Sequence, residues 1–362
     1  MALQRSSLHE TLSGAGAHFH HRNGWELPRD FGDASAESDA AIKGAAVHDM
    51  SHTGRLRATG ADVLDLINRL STNKVDDLKP GQGVPTILTT DAGRIVDLIH
   101  VVNTQDHVLL LTSPGTQQPI IDWLDKYTIM DDIEVEDITD TTAMLVLLGP
   151  GAEEALAKAM GQEPTFIRQL SAYGSADVEI GGVTAQAIRR SLGEIPAFSL
   201  VLATEDAPAA WQRLLDSGAL PIGADAYDAV RVAQGVPAYG HEMGETFNPL
   251  EAGLIGSIDF AKGCYIGQEV IARLDTYQKV QKHLVTLKFG PDARVSQGDS
   301  LVRDGKKVGM VTSLSPVQGD ILVGLGYVRK ANASTGSRMD LEAPARGWAE
   351  ISGFSQIFGP GE

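Results

Sequence analysis

The residue pattern predicts an α+β fold rather than a doubly wound α/β sheet. Three observations carry this. Strand-like and helix-like stretches alternate irregularly, with hairpins in place of regular strand–helix–strand units. From His283 onward the texture changes to short strands and turns, including the hairpin signal Asp304-Gly305, which reads as a small closed β-domain. The chain has 362 residues, too many for one ordinary domain, so two or three are expected.

Residues 1–30 read as irregular, with His18, His20 and His21 close together. Imidazoles can bind metal, but no cysteine or carboxylate pattern completes a ligand set, and a polar surface or cleft entrance is the simpler reading. Residues 40–47 read as a helix leading to His48 and His52, whose roles are either catalysis or ordering of the loop by hydrogen bonds. A short strand over 55–59 follows. Val63, Leu66, Ile67 and Leu70 then recur at helical spacing.

An antiparallel meander is expected over 84–89, 94–102 and 107–112, turning at Asp91-Ala92-Gly93. A helix over 117–127 follows, its inward face formed by Ile120, Ile121, Leu124 and Tyr127. Further strands are expected at 133–135, 143–148, near Val178, 183–188 and 198–202. Helices are expected at 152–160, 208–215 and 224–234. The last part reads as strands at 284–289, 301–302, 308–314 and 321–327. There is no internal repeat and no low-complexity segment.

Composition narrows the class. Hydrophobic residues make up 43% of the chain, enough for real cores. The formal net charge of -17 argues against a general binder of nucleic acid or anionic membranes. It suits a cytoplasmic protein. Residues 1–7 are not followed by an apolar signal core, and no apolar run approaches the roughly 18 residues that span a bilayer. A single cysteine excludes an intrachain disulfide and an all-cysteine cluster site within one chain.

That cysteine lies in Lys262-Gly263-Cys264-Tyr265-Ile266-Gly267-Gln268-Glu269. Gly263 and Gly267 bracket it, allowing a tight turn and close approach. After Gly267 the pattern becomes helical, with Val270, Ile271 and Leu274 on one face and Gln268-Glu269 in the first turn. Cys264 is thus expected just before a helix N-terminus and two residues from Lys262. Both features favour a thiolate. The alternative is a small buried hydrophobe.

All eight positions fit the signature of the YgfZ-type folate-binding proteins, which the octet resembles. These form a branch of the glycine-cleavage T-protein (aminomethyltransferase) superfamily. Gly24-Trp25-Glu26-Leu27-Pro28, 48–54, 235–240 and 248–254 also resemble T-protein segments, so the likeness runs from about Gly24 to Phe354. It implies a three-lobed, cloverleaf-like arrangement around a folate funnel. The first domain would comprise 1–53 and 142–224, the second 54–141 and 225–281, and a C-terminal β-domain 282–362. It further implies a role in assembly or repair of iron–sulfur proteins, with tetrahydrofolate as ligand. Iron–sulfur enzymes or cluster-assembly proteins are the implied partners, and direct nucleic-acid or membrane contacts are not implied. Cys264 would be the reactive thiolate or a transient cluster ligand, with Lys262 stabilising it.

The sequence departs from the T-protein pattern where the folate reacts. T-proteins place a catalytic carboxylate as the second of two aspartates after a Gly-rich turn; here that pair is Asp97-Leu98. Neighbours on a strand face opposite sides, so Asp97 replaces the missing group only with a register shift. Thr112 stands for a pterin-contacting asparagine, Ser191 for a stacking tyrosine, Ser199 for a pterin-reading glutamate and Tyr227 for an arginine. Losing that glutamate removes a bidentate carboxylate–pterin pair. Glu194, Arg189 and Arg190 are candidates to compensate, the alternative being ordinary surface charge. The expected site is therefore Cys264, Lys262 and Asp97 for chemistry, and Glu194, Arg190, Tyr227, Arg231 and Thr112 for the ligand. Gly263, Tyr265, Gly267, Gln268 and Glu269 shape the loop, and no resident metal is expected. Two other functions stay open: a folate-dependent aminomethyltransferase using Asp97, and a scaffold with a vestigial folate site.

Overall fold

A computed structural model of the chain describes residues 3–315 and 322–355. The architecture is α+β, as the residue pattern predicts. A six-stranded sheet runs in the order Ser175–Ile180, Val183–Leu192, Ile195–Ala203, Thr142–Leu148, Ala46–Asp49, Leu220–Pro221. A five-stranded sheet runs Gln82–Thr89, Ile95–Asn103, Val108–Thr112, Gly54–Thr59, Glu134–Asp137. A closed six-stranded barrel occupies Lys282–Phe289 through Trp348–Phe354.

Alternation explains how the two open sheets meet. Val102, Leu109 and Leu111 of the five-stranded sheet pack against Met144, Ile188 and Val201 of the six-stranded one. The opposite face of the five-stranded sheet is covered by Val63–Leu70 and Gln117–Tyr127, through Leu66, Ile67, Leu70, Ile120 and Leu124. Ile121 and Tyr127 pack only at the edge of that core. The six-stranded sheet is backed by Ala152–Met160 and Ala207–Asp216, with Trp211 almost fully enclosed.

Three local expectations need correction. Residues 4–30 are ordered: Trp25–Asp30 pairs with His18–Arg22 and Gln4–Arg5, and Leu8 and Leu12 around the helix His9–Gly14 are fully buried. The polar run of histidines masked a strand. The helix expected over 40–47 is Ala34–Lys43, capped by the Asp33 carboxylate. It stops there because the Gly44 carbonyl accepts from the Gly151 N–H at 2.8 Å, and Ala46–Asp49 pairs as a strand with Leu145–Leu148. The barrel also needs Arg338–Leu341 and Trp348–Phe354, short strands whose polar outer residues hide their periodicity. The hairpin at Asp304-Gly305 forms with both residues at positive φ, 51° and 70°, as its turn type requires. Of the strand expected over 321–327, Ile321 lies outside the described residues.

Candidate functional site

The two sheets, the helix Ala224–Ala233 and the barrel enclose a cavity of about 870 Å³, within the usual range for a small-molecule site. Thr112, Arg190, Glu194, Tyr227 and Arg231 all line it. The fold therefore gathers all five expected ligand residues from three separate parts of the chain.

Their availability differs. Arg231 is buried and committed: it donates to Asp228 at 2.7 Å, to Glu242 and the Val236 carbonyl at 3.2 Å, and to Ser313 at 2.9 Å. It fastens the helix to the barrel while lining the cavity. Thr112 Oγ1 donates to the Ser113 carbonyl at 3.2 Å. Tyr227 stacks on His48 with ring centroids 5.0 Å apart. Glu194 is exposed at the rim, and its backbone N–H is held by Gln234 at 2.9 Å. Among the described residues the Arg190 side chain makes one hydrogen bond, to Ser199 Oγ at 2.9 Å.

Asp97 is not on the cavity wall; Leu98 is. On the strand Ile95–Asn103, Leu98 opposes Ile87 and Asp97 opposes Leu88. A register irregularity beyond Leu88 does not turn Asp97 around. Its carboxylate is fully buried and accepts from the Ser113 N–H, Ser113 Oγ and Thr116 Oγ1 at 2.9, 2.6 and 2.8 Å. It braces the loop that opens the helix Gln117–Tyr127. Burial pushes its pKa up to about 6 against those hydrogen bonds. The expected catalytic role of Asp97 is corrected accordingly.

Three histidines reach the cavity. His48 Nδ1 donates to the Ile222 carbonyl at 2.9 Å, the loop-ordering role. Burial lowers its pKa, pushes that of His52 down to about 3, and lowers that of His100 well below its usual value. All three are neutral at pH 7. Among the described residues the Nδ1 atoms of His52 and His100 are buried without a partner. His18 pairs instead with Asp30 at 2.6 Å.

Sequence reasoning missed Tyr173, His100 and Asp228. Tyr173 holds a positive φ of 60° and meets His100 edge-on at 5.3 Å. Its carbonyl would lie 2.5 Å from a Cβ at position 83, so only Gly83 admits this loop. Asp228 binds both Arg22, at 2.9 Å, and Arg231, and these cations hold its carboxyl below the usual range. No helical or strand periodicity flags partners so distant in sequence.

The octet forms the entry to the helix Gln268–Thr276. Gly267 has φ 83°, and a Cβ there would meet the Thr90 carbonyl at 2.5 Å. Gly263 has open space around it, so only one of the two glycines is sterically required. Tyr265 is buried in the core that Leu98 packs against, which ties the octet to the cavity wall. Ile271 is the buried residue of the helix, while Val270 contacts the turn at Gly93. Gln268 Nε2 donates to the Gly263 carbonyl at 3.3 Å, and Glu269 lies in the first turn. Cys264 is exposed, not a buried hydrophobe.

Lys262 does not serve Cys264. Its Nζ donates to the carbonyls of Asn68 and Ser71 at 2.8 Å and of Asn73 at 2.6 Å. An ammonium has three N–H groups, and all three are spent. The expected thiolate-stabilising role is corrected: Lys262 pins the octet to the end of the helix Val63–Leu70. Burial pushes its pKa down to about 8.

Comparison with known proteins places this geometry. The family model described as the GCVT N-terminal domain matches residues 8–262, ending at the first residue of the octet. A chloroplastic protein of Arabidopsis thaliana, named only as a candidate transferase, is 36% identical over 83% of this chain and 68% of its own length. The aminomethyltransferase of Geobacillus kaustophilus is 30% identical over 94% of both chains. The crystal structure of the glycine cleavage system aminomethyltransferase T from Bartonella henselae superposes with a TM-score of 0.86. It covers 98% of this chain and 99% of its own at 22% identity, which establishes a shared fold.

Proposed function

This chain belongs to the GCVT N-terminal domain family, and on that premise we propose that it is a tetrahydrofolate-binding protein of the YgfZ type. In this reading it supports assembly or repair of iron–sulfur proteins, and its reactive group is Cys264. The observation that carries the proposal is the pair Asp97-Leu98. The cavity keeps a ligand-sized volume, yet Leu98 faces it where aminomethyl transfer calls for a carboxylate, and Asp97 points into three protein hydrogen bonds. On the wall itself the half-buried Asp228 carboxylate is engaged by two arginines, and Glu194 stands exposed at the rim. Such a cavity can hold a folate without steering its protons. Meanwhile the single cysteine stands exposed on a loop anchored by Lys262 and Gly267, accessible to a partner protein.

Anaerobic calorimetric titration with tetrahydrofolate tests the ligand, with micromolar or tighter binding expected. Turnover of a methylamine donor with tetrahydrofolate would instead establish the transferase reading. In cells, Cys264→Ser is expected to fold but fail to restore iron–sulfur enzyme activity. Full restoration by that variant would remove Cys264 from the mechanism.

A further inference from the structure

Ile129 and Met130 are the two most exposed large apolar side chains among the described residues, at 86% and 94%. The loop that carries them is not loose. The Asp132 N–H donates to Asp62 at 2.8 Å, the Ala61 N–H donates to Asp132 at 3.2 Å, and the Arg69 guanidinium donates to Asp131. Backbone fastened in this way holds the pair out in solvent. Trp123, Tyr127 and Ile133 flank it, half-buried at the edge of the core beneath. Apolar surface gathered like this marks a binding site more than scattered exposed residues do.

The same corner adjoins the cysteine octet. Ile266, two residues after Cys264, lies at the edge of that same core. Its N–H donates to the Arg69 carbonyl at 3.2 Å, while the Arg69 side chain holds Asp131. One residue thus touches both loops. The surround is acidic, with Asp62, Asp65, Asp131, Asp132 and Glu134 on the loop or next to it. Each flanking helix has one cation, and both are engaged. Arg69 pairs with Asp65 at 2.9 Å and with Asp131, and Lys126 lies over the Trp123 and Tyr127 rings at 5.1 and 4.9 Å.

An acidic rim repels an anionic bilayer. A second copy joined through this same patch would set like charges face to face. A basic segment with an apolar anchor matches both the charge and the exposed pair, and the unbranched Met130 side chain adapts to such an anchor. We propose that Ile129 and Met130, with their carboxylate rim, dock a basic segment of a partner protein beside Cys264. This deepens the reading of Cys264 as the group presented to a partner, and rests on that reading for its purpose.

The test uses three short synthetic peptides of equal length. One has lysines flanking two leucines, the second has glutamate for each lysine, and the third has serine for each leucine. Fluorescence anisotropy with full-length Cys264→Ser protein reads docking without covalent capture. The basic leucine peptide is expected to bind about tenfold more tightly than the other two. Adding Ile129→Ser and Met130→Ser, with folding checked by thermal melts, should remove that preference. Equal binding of the three peptides, no binding, or an unchanged preference in the surface variant would overturn the proposal. So would a wild-type dimer in light scattering that the surface variant abolishes, because a second copy would then be the occupant.

Placement beside Cys264 is read with peptides carrying a terminal cysteine as its mixed disulfide with thionitrobenzoate. The Cys264 thiolate attacks the peptide sulfur, the protein–peptide disulfide forms, and the coloured thionitrobenzoate leaves. With Cys264 in place, capture of the basic leucine peptide should be about tenfold slower once Ile129 and Met130 are serine. A small uncharged disulfide should react at the same rate with both proteins. Equal capture of the peptide would overturn the placement. Docking by the Cys264→Ser protein, with full restoration of iron–sulfur enzyme activity by that variant, would remove the Cys264 reading and leave the docking surface.

Discussion

Lys262 and Arg190 are both basic side chains drawn into the protein, and they end in opposite states. Lys262 is 8% exposed and gives each of its three protons to a backbone carbonyl. Arg190 opens on the cavity with one of five N–H groups used. The sequence suggested chemistry for both, Lys262 because it adjoins the lone cysteine. Hydrogen-bond accounting separates them: a buried cation whose donors are all satisfied by backbone holds structure together, and one left unsatisfied is available to a ligand. Arg55 supports the first half of that rule. It is fully buried and donates to Thr142 and to the carbonyls of Ser51, Thr53 and Thr139.

The comparison is broken most directly at Lys262. Lys262→Met keeps the aliphatic stem but strips three carbonyls of their donor, and the expected loss is about 3 kcal/mol in urea denaturation. A loss below about 0.5 kcal/mol would mean the ammonium is not the pin. Gly267→Ala should cost roughly 2 kcal/mol, because alanine is strained at φ 83° and its Cβ meets the Thr90 carbonyl at 2.5 Å. Gly263→Ala, with open space around it, is the control and should change stability far less.

The histidines sharpen the comparison from the neutral side. His52 has a folded pKa of about 3, below its unfolded value near 6.5. Its contribution is complete above pH 6.5 and is lost as the pH falls from there toward 3. His48 and His100 act in the same direction. Asp97 opposes them: its folded pKa of about 6 lies above the usual value, so it gains stability as the pH falls from 6 toward 4. Melting curves should therefore decline between pH 6.5 and 5, by on the order of 1 kcal/mol for His52 after allowance for its opening to the cavity. His52→Asn should flatten that limb, and Asp97→Asn should steepen it.

Much of the fold was legible because the helices and paired strands carry clear periods. The helix Gln117–Tyr127 and the turn at Asp304-Gly305 are cases where local pattern and tertiary packing agree. His18–Arg22 was illegible because a polar strand on a small outer sheet buries little on either face. At the site, the departure at Leu98 came from the resemblance to T-proteins, and its consequence for Asp97 from strand alternation. The roles of Lys262, Arg231 and Tyr173 came from neither, since each depends on acceptors or rings brought from distant parts of the chain. Charge and spacing nominate a residue; only its partners assign the role.

The smallest expected effect is on the stability of the Arg190→Gln protein. Removing a satisfied buried cation strands its acceptors, but Arg190 leaves only the Ser199 hydroxyl behind. Glutamine can reach into the same space and offer that hydroxyl a partner. The melting transition should therefore stay within about 0.5 kcal/mol of wild type, far from the roughly 3 kcal/mol expected at Lys262. A loss comparable to that of Lys262→Met would show that Arg190 braces the strand Val183–Leu192 as Lys262 braces the octet. The contrast between a spent and an available cation would then collapse. Unchanged stability with weakened tetrahydrofolate binding would separate the two roles.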